Sequence, residues 1–131
     1  MIPGAVPPVT VLVVDDNAPL RRSMRRILEG EGYSVLEAAD ATEAVSLCEA
    51  SARPVDLLIT DLNMPGIDGF DLGRQFLEKR FADRIIVVSG DGDRARDDER
   101  AAIAVAILPK PFDASSLTEL VRTALDGPPA S

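Results

Sequence analysis

The 131 residues carry 22 acidic and 14 basic side chains, a net charge of −8, with 46 % hydrophobic and 27 % charged residues. This is one domain's worth of chain with an ordinary globular composition, which excludes disorder, collagen-like repeats and a catalytic domain with a separate output domain. No apolar run reaches the roughly 20 residues of a membrane helix, an acidic surface argues against nucleic acid, and the absence of histidine removes His-based metal sites, Ser-His-Asp triads and an internal phosphohistidine.

Residues 1–8 and 126–131 are rich in proline and glycine and read as flexible tails around a domain at 9–125. The first tail lacks the basic and apolar regions of a secretory signal. A single cysteine, Cys48, suits a reducing cytoplasm. The run Val9-Thr-Val-Leu-Val-Val14 has the composition of a strand buried on both faces. Leu20, Met24, Ile27 and Leu28 then fall at i, i+4, i+7 and i+8, a helix with Pro19 in its first turn and Gly30 or Gly32 as its stop. Residues 33–37 form a weaker strand. Asp40, with Glu43 three residues on, makes an acidic variant of the capping box. The helix it opens buries Ala41, Ala44, Val45 and Cys48, so Cys48 reads as a small core residue rather than a reactive thiol.

Residues 55–60 give a third strand, and residues 66–79 a helix burying Phe70, Phe76 and Leu77. Ile85-Ile-Val-Val88 is a fourth strand, followed by a charged helix within 94–104 and a weak fifth strand at 105–108. Asp113 caps a last helix that buries Leu117, Leu120, Val121, Ala124 and Leu125. The order is (βα)5. Strands joined through helices run parallel, and right-handed crossovers place helices on both faces. The expected fold is α/β, a doubly wound five-stranded parallel sheet of order 2-1-3-4-5.

Ligands of such a sheet sit at the carboxyl ends of the strands, near the switch in strand order. Asp15 and Asp16 follow the first strand, Asp61 the third, Ser89 the fourth, and Lys110 with Pro111 the fifth; the second strand contributes nothing evident. Three carboxylates a few ångströms apart repel, and a hard divalent cation such as Mg²⁺ relieves this. With an ammonium and a hydroxyl beside it, the set suits phosphoryl transfer, and a carboxylate can serve as nucleophile and carry an aspartyl phosphate. Taken singly, each of these residues has a plainer explanation as a cap or a solvated loop; their conjunction at successive strand ends is what carries the reading.

The segments Val13-Val-Asp-Asp16, Asp61-Leu-Asn-Met-Pro-Gly-Ile-Asp-Gly69, Ser89-Gly90 and Lys110-Pro-Phe112 resemble the receiver domain of two-component response regulators, of the single-domain, CheY-like and flavodoxin-like type. The resemblance covers about residues 9–125. It implies Asp61 as phosphoacceptor, Asp16 as direct Mg²⁺ ligand with Asp15 assisting, and the backbone carbonyl of Asn63 as a further ligand. It implies that Ser89 bonds a phosphoryl oxygen and reorients, that Lys110 pairs with another, and that a cis peptide bond precedes Pro111. The side chains of Asn63 and Asp91 would tune the lifetime of the phosphoryl group.

The resemblance further implies a cytoplasmic regulator rather than an enzyme, with intrinsic self-dephosphorylation. The phosphoryl donor would be a sensor histidine kinase or a histidine phosphotransfer protein. Output would pass through a downstream protein target at the face of the fourth helix, fifth strand and fifth helix, with no nucleic acid or membrane partner. The protein would be a monomer or a weak phosphorylation-dependent dimer.

Two positions depart from the family. Ile107 stands where many receivers carry the aromatic that moves with the hydroxyl residue, so either the switch is modified or Ile107 is a core strand residue. Pro109 removes a ladder donor and marks an edge or the end of the sheet. The charged segment Asp91, Asp93, Arg94, Arg96, Asp97, Asp98, Glu99 and Arg100 is a solvated face or an unusual partner surface. Arg21, Arg22, Arg25 and Arg26 form a basic patch, read equally as a kinase-docking surface or as a solvated face with pairs such as Arg25–Glu29. Two other functions compete with the switch. One is a phosphorylation-independent pseudo-receiver that serves as an interaction module. The other is an aspartate-based Mg²⁺ phosphohydrolase, disfavoured because Asn63 rather than an acid lies two residues after Asp61.

Overall fold

The computed structural model describes residues 9–51, 53–90 and 106–126. The two expected tails, apart from Asp126, lie outside these residues, as do the expected helix within 94–104 and Asp91 with its charged neighbours.

Five parallel strands form the central sheet: β1 (Thr10–Val14), β2 (Ser34–Ala38), β3 (Leu57–Asp61), β6 (Ile85–Ser89) and β7 (Ala106–Pro109), in the order β2-β1-β3-β6-β7. A two-stranded hairpin, β4 (Asn63–Met64) and β5 (Ile67–Asp68), lies between β3 and β6 in the chain. Without that hairpin the order is the expected 2-1-3-4-5. The helices among the described residues are α1 (Ala18–Gly30), α2 (Ala41–Ala50), α3 (Gly69–Glu78) and α4 (Ala114–Asp126).

Alternate residues of the central strands feed two cores, which is why the strands read as unbroken apolar runs. Leu12, Val14, Leu58 and Val87 pack with Ala44 and Cys48 of α2 and Phe70, Leu72 and Phe76 of α3. Val11, Val13, Leu57, Ile59, Ile86 and Val88 pack with Met24 and Leu28 of α1 and Leu117 and Val121 of α4. Leu20, Ile27, Leu120, Ala124 and Leu125 only flank the second core, and Ala41, Val45 and Leu77 only flank the first. Cys48 is 8 % exposed and burial pushes its thiol pKa up, as suits a core residue.

The expected caps are present. The Glu43 N–H donates to Asp40 Oδ1 at 2.8 Å, and the Ser116 N–H to Asp113 Oδ1 at 2.8 Å. Pro19 lies in the first turn of α1, which Asn17 caps. That helix ends at Gly30, and beyond its cap Gly32, with φ +95°, turns the chain so that the Gly32 and Tyr33 N–H groups return to the carbonyls of Glu29 and Leu28.

Several boundaries need correction: β2 runs to Ala38 rather than 37, and β7 to Pro109 rather than 108. The third helix begins at Gly69 rather than 66, because Pro65 and Gly66 (φ +88°) turn the hairpin first. Val55 makes only an isolated bridge to Ala82, so β3 starts at Leu57. Asp126, expected to open the tail, ends α4. Pro109 sits on β7, an edge strand, where a missing donor is tolerated. No helix among the described residues is long and apolar enough to cross a membrane.

Candidate functional site: an acidic cluster at the carboxyl edge of the sheet

The strand ends deliver the chemistry. β1 ends into Asp15 and Asp16, β3 ends on Asp61, β6 ends on Ser89, and β7 leads into Lys110. Carboxylate oxygens of Asp15, Asp16 and Asp61 all lie within 4.8 Å of one another. Asp15 and Asp61 are buried, at 1 % and 6 % exposure, and Asp16 is exposed. Lys110 Nζ reaches Asp61 Oδ1 at 3.1 Å. The Lys110 N–H also donates to the Ser89 carbonyl at 2.8 Å, which ties the lysine to the serine strand. Ser89 is buried, and its hydroxyl donates to the Gly90 carbonyl at 3.2 Å. The Lys110–Pro111 peptide bond is cis.

Backbone contacts hold the Asp61 loop. The Leu62 N–H continues the sheet to the Val88 carbonyl, and the Gly69 N–H returns to the Leu62 carbonyl at 2.8 Å. A Cβ at Gly69 would lie 2.7 Å from the Asp61 carbonyl oxygen and 2.9 Å from Leu62 Cα, so only glycine lets α3 start this close to the loop.

Asp15 is the strained member of the cluster. Its Oδ1 accepts from the Asn17 N–H at 2.8 Å, but its buried Oδ2 has no hydrogen-bond partner among the described residues. Desolvation, and to a lesser degree the Asp61 and Asp16 charges, raise its pKa above 3.8; the Asn17 bond and Lys110 oppose this.

Of the sequence-predicted site residues, Asp15, Asp16, Asp61 and Lys110 converge, and Ser89 stands on the neighbouring strand end. Asn63 is exposed on the hairpin, paired with Asp68. Ile107 lies within β7 rather than at its end. It pairs with Val87 and packs partly buried against the α2–α3 core. The second strand, expected to add nothing, supplies Glu37. That residue binds Arg21 Nε at 3.0 Å and Arg25 Nη1 at 2.9 Å, while Arg21 Nη1 donates to the Asp15 carbonyl at 2.6 Å. The four-arginine patch is therefore split: Arg21 turns inward, Arg25 pairs with Glu29 and Glu37, and Arg22 and Arg26 stay exposed. An acid at the carboxyl end of a strand was the available signal for Glu37.

A family model for the response regulator receiver domain matches residues 11–122. The chain belongs to the receiver domain family. This receiver is 35 % identical over 122 residues to the transcriptional regulatory protein PdtaR of Mycobacterium tuberculosis, covering 92 % of this chain and 58 % of that protein. It is 40 % identical over 119 residues to the response regulator MprA of Mycolicibacterium vanbaalenii, covering 90 % of this chain and 51 % of that one. The receiver thus spans little more than half the length of these curated relatives. A CheY-like receiver domain protein from Methanospirillum hungatei superposes with a TM-score of 0.82 at 27 % identity, covering 92 % and 95 % of the two chains.

Proposed function

We propose that this receiver is the phospho-accepting switch of a two-component or phosphorelay system, with Asp61 the acceptor. The observation that carries the reading is the Asp61–Lys110 contact within a cluster of three carboxylates. A carboxylate oxygen of Asp61 attacks the phosphorus of a partner's phosphohistidine, and the bond from phosphorus to the histidine nitrogen breaks. Lys110 offsets the charge of the transferred group, and the Ser89 hydroxyl turns from Gly90 toward a phosphoryl oxygen. The donor histidine lies outside these 131 residues, which contain none.

The donor set fits Mg²⁺. Three oxygen ligands lie within 4.8 Å of one another, and the orphaned Asp15 Oδ2 is an acceptor in want of a cation. Asp16, Asp61 and the Asn63 backbone carbonyl would hold the ion directly, with Asp15 assisting. When bound, Mg²⁺ supplies positive charge to the phosphoryl oxygens. The aspartyl phosphate would be lost by intrinsic hydrolysis, and the site would work in the cytoplasm. Its readout is a shift of the face carried by β7 and α4, which changes affinity for a downstream protein. A coupling of about 1–3 kcal/mol corresponds to roughly 5–150-fold in affinity.

The test is intact mass after incubation with acetyl phosphate and Mg²⁺. Gain of one phosphoryl group, lost in Asp61→Asn and in EDTA, is the expected result. Labelling that survives in Asp61→Asn would move the acceptor elsewhere. Ile107 in place of a switch aromatic favours one second reading, a phosphorylation-independent interaction module. That reading gains if Mg²⁺ does not bind and partner affinity is indifferent to Asp61→Asn.

A further inference from the structure

Arg21 is the inward-facing arginine of α1, its side chain 14 % exposed. One guanidinium arm, Nη1, donates to the Asp15 carbonyl at 2.6 Å, and Nε donates to Glu37 Oε1 at 3.0 Å. Glu37 uses its other oxygen to accept from Arg25 Nη1 at 2.9 Å. The Asp15 N–H donates to the Ala38 carbonyl at 3.1 Å. Both backbone polar groups of Asp15 are therefore fixed from β2, one directly and one through the Arg21 fork.

Asp15 and Asp16 lie past the end of β1, where the Asp15 N–H still bonds β2 and the Asp15 carbonyl is held by Arg21 instead of a strand. Groups behind a ligand commonly set its direction, and their loss weakens metal binding. The fork is specific to arginine: an ammonium is a point charge that cannot span two acceptors in a fixed plane. A bare guanidinium this close would repel a cation, and Glu37 offsets that charge.

We propose that Arg21, braced by Glu37, is a positioning residue that aims the Asp15–Asp16 pair at a divalent cation. The inference rests on the phospho-switch reading of the acidic cluster and deepens it.

Titration calorimetry with MgCl₂ on the full chain tests it, with circular dichroism as the check on folding. Arg21→Lys keeps the charge and loses the fork. Its Mg²⁺ affinity is expected to fall about tenfold. The half-saturating Mg²⁺ for acetyl phosphate labelling should rise in parallel, while the labelling rate at saturating Mg²⁺ falls by less than the affinity. Glu37→Gln keeps an acceptor but uncovers the arginine charges, so its loss of Mg²⁺ affinity should shrink as NaCl rises. Should Arg21→Lys fail to fold, Glu37→Gln decides alone, and a salt-independent wild-type affinity there overturns the proposal. A folded Arg21→Lys with unchanged or tighter Mg²⁺ affinity overturns the positioning role and leaves the phospho-switch standing. A wild-type chain that binds no Mg²⁺ overturns the site reading and this inference together.

Discussion

At Asp15 one carboxyl oxygen accepts from Asn17 and the other has no hydrogen-bond partner among the described residues, in a side chain buried to 1 % exposure. Its raised pKa means that the folded protein holds this proton more tightly than the unfolded chain. The associated stability is fully present below pH 3.8 and drains away as the pH rises through the elevated folded value. Asp15→Asn keeps the acceptor for Asn17 and removes the desolvated charge. In EDTA at neutral pH it is expected to be more stable than the parent by about 1 kcal/mol. The gap should close in acid, and the variant should lose most of the stabilisation that Mg²⁺ gives the parent. Thermal melts with and without Mg²⁺ across pH check all three. At this scale the acids, Ser89 and Lys110 were legible because each follows an apolar run. The Arg21–Glu37 bond was not, because it joins side chains 16 residues apart and depends on which way an arginine on a helix turns.

Among the elements, α3 is the most constrained at both ends. At its start Gly69 abuts the Asp61 carbonyl. Gly69→Ala must displace backbone, so it should cost roughly 2 kcal/mol in urea unfolding and slow acetyl phosphate labelling of Asp61. At its end Lys79 is the cap and Arg80 takes φ 59°, a left-handed position that glycine usually fills. The Arg80 and Phe81 N–H groups return to Leu77 and Phe76, and the Phe76 and Phe81 rings meet edge-on at 5.5 Å. Arg80→Gly relieves that strain while adding freedom to the unfolded chain. A gain of about 0.5 kcal/mol in the same urea assay is expected. The buried strands and capped helices could be read directly from apolar runs and Asp40 or Asp113. The β4–β5 hairpin could not, because two-residue strands have no periodicity, although Pro65-Gly66 is a turn signal. The second strand read weakly for a physical reason: at the sheet edge only Val35 and Ala38 are buried, and Leu36 is exposed.

At the scale of the molecule, the described residues pack two cores against one sheet, while the sequence carries a net charge of −8. Self-repulsion opposes compaction at low ionic strength, and the exposed ion pairs add little to offset it. Raising NaCl to about 0.15 M shortens the screening length to about 8 Å. The urea midpoint of the metal-free protein is therefore expected to rise with NaCl, with most of the effect at low salt. The overall topology was readable because each strand is joined to the next through a helix, which forces parallel pairing. The site has a different dependence on the chain. Asp61 and Lys110 touch across 49 intervening steps of sequence, and Asp15 is 46 residues further back. A ribosome that has released Asp61 but not yet Lys110 exposes a carboxylate with no counter-charge and no closing strand beside it. The pairing of Asp61 thus waits on the synthesis of Lys110, and a product truncated before that residue cannot form it.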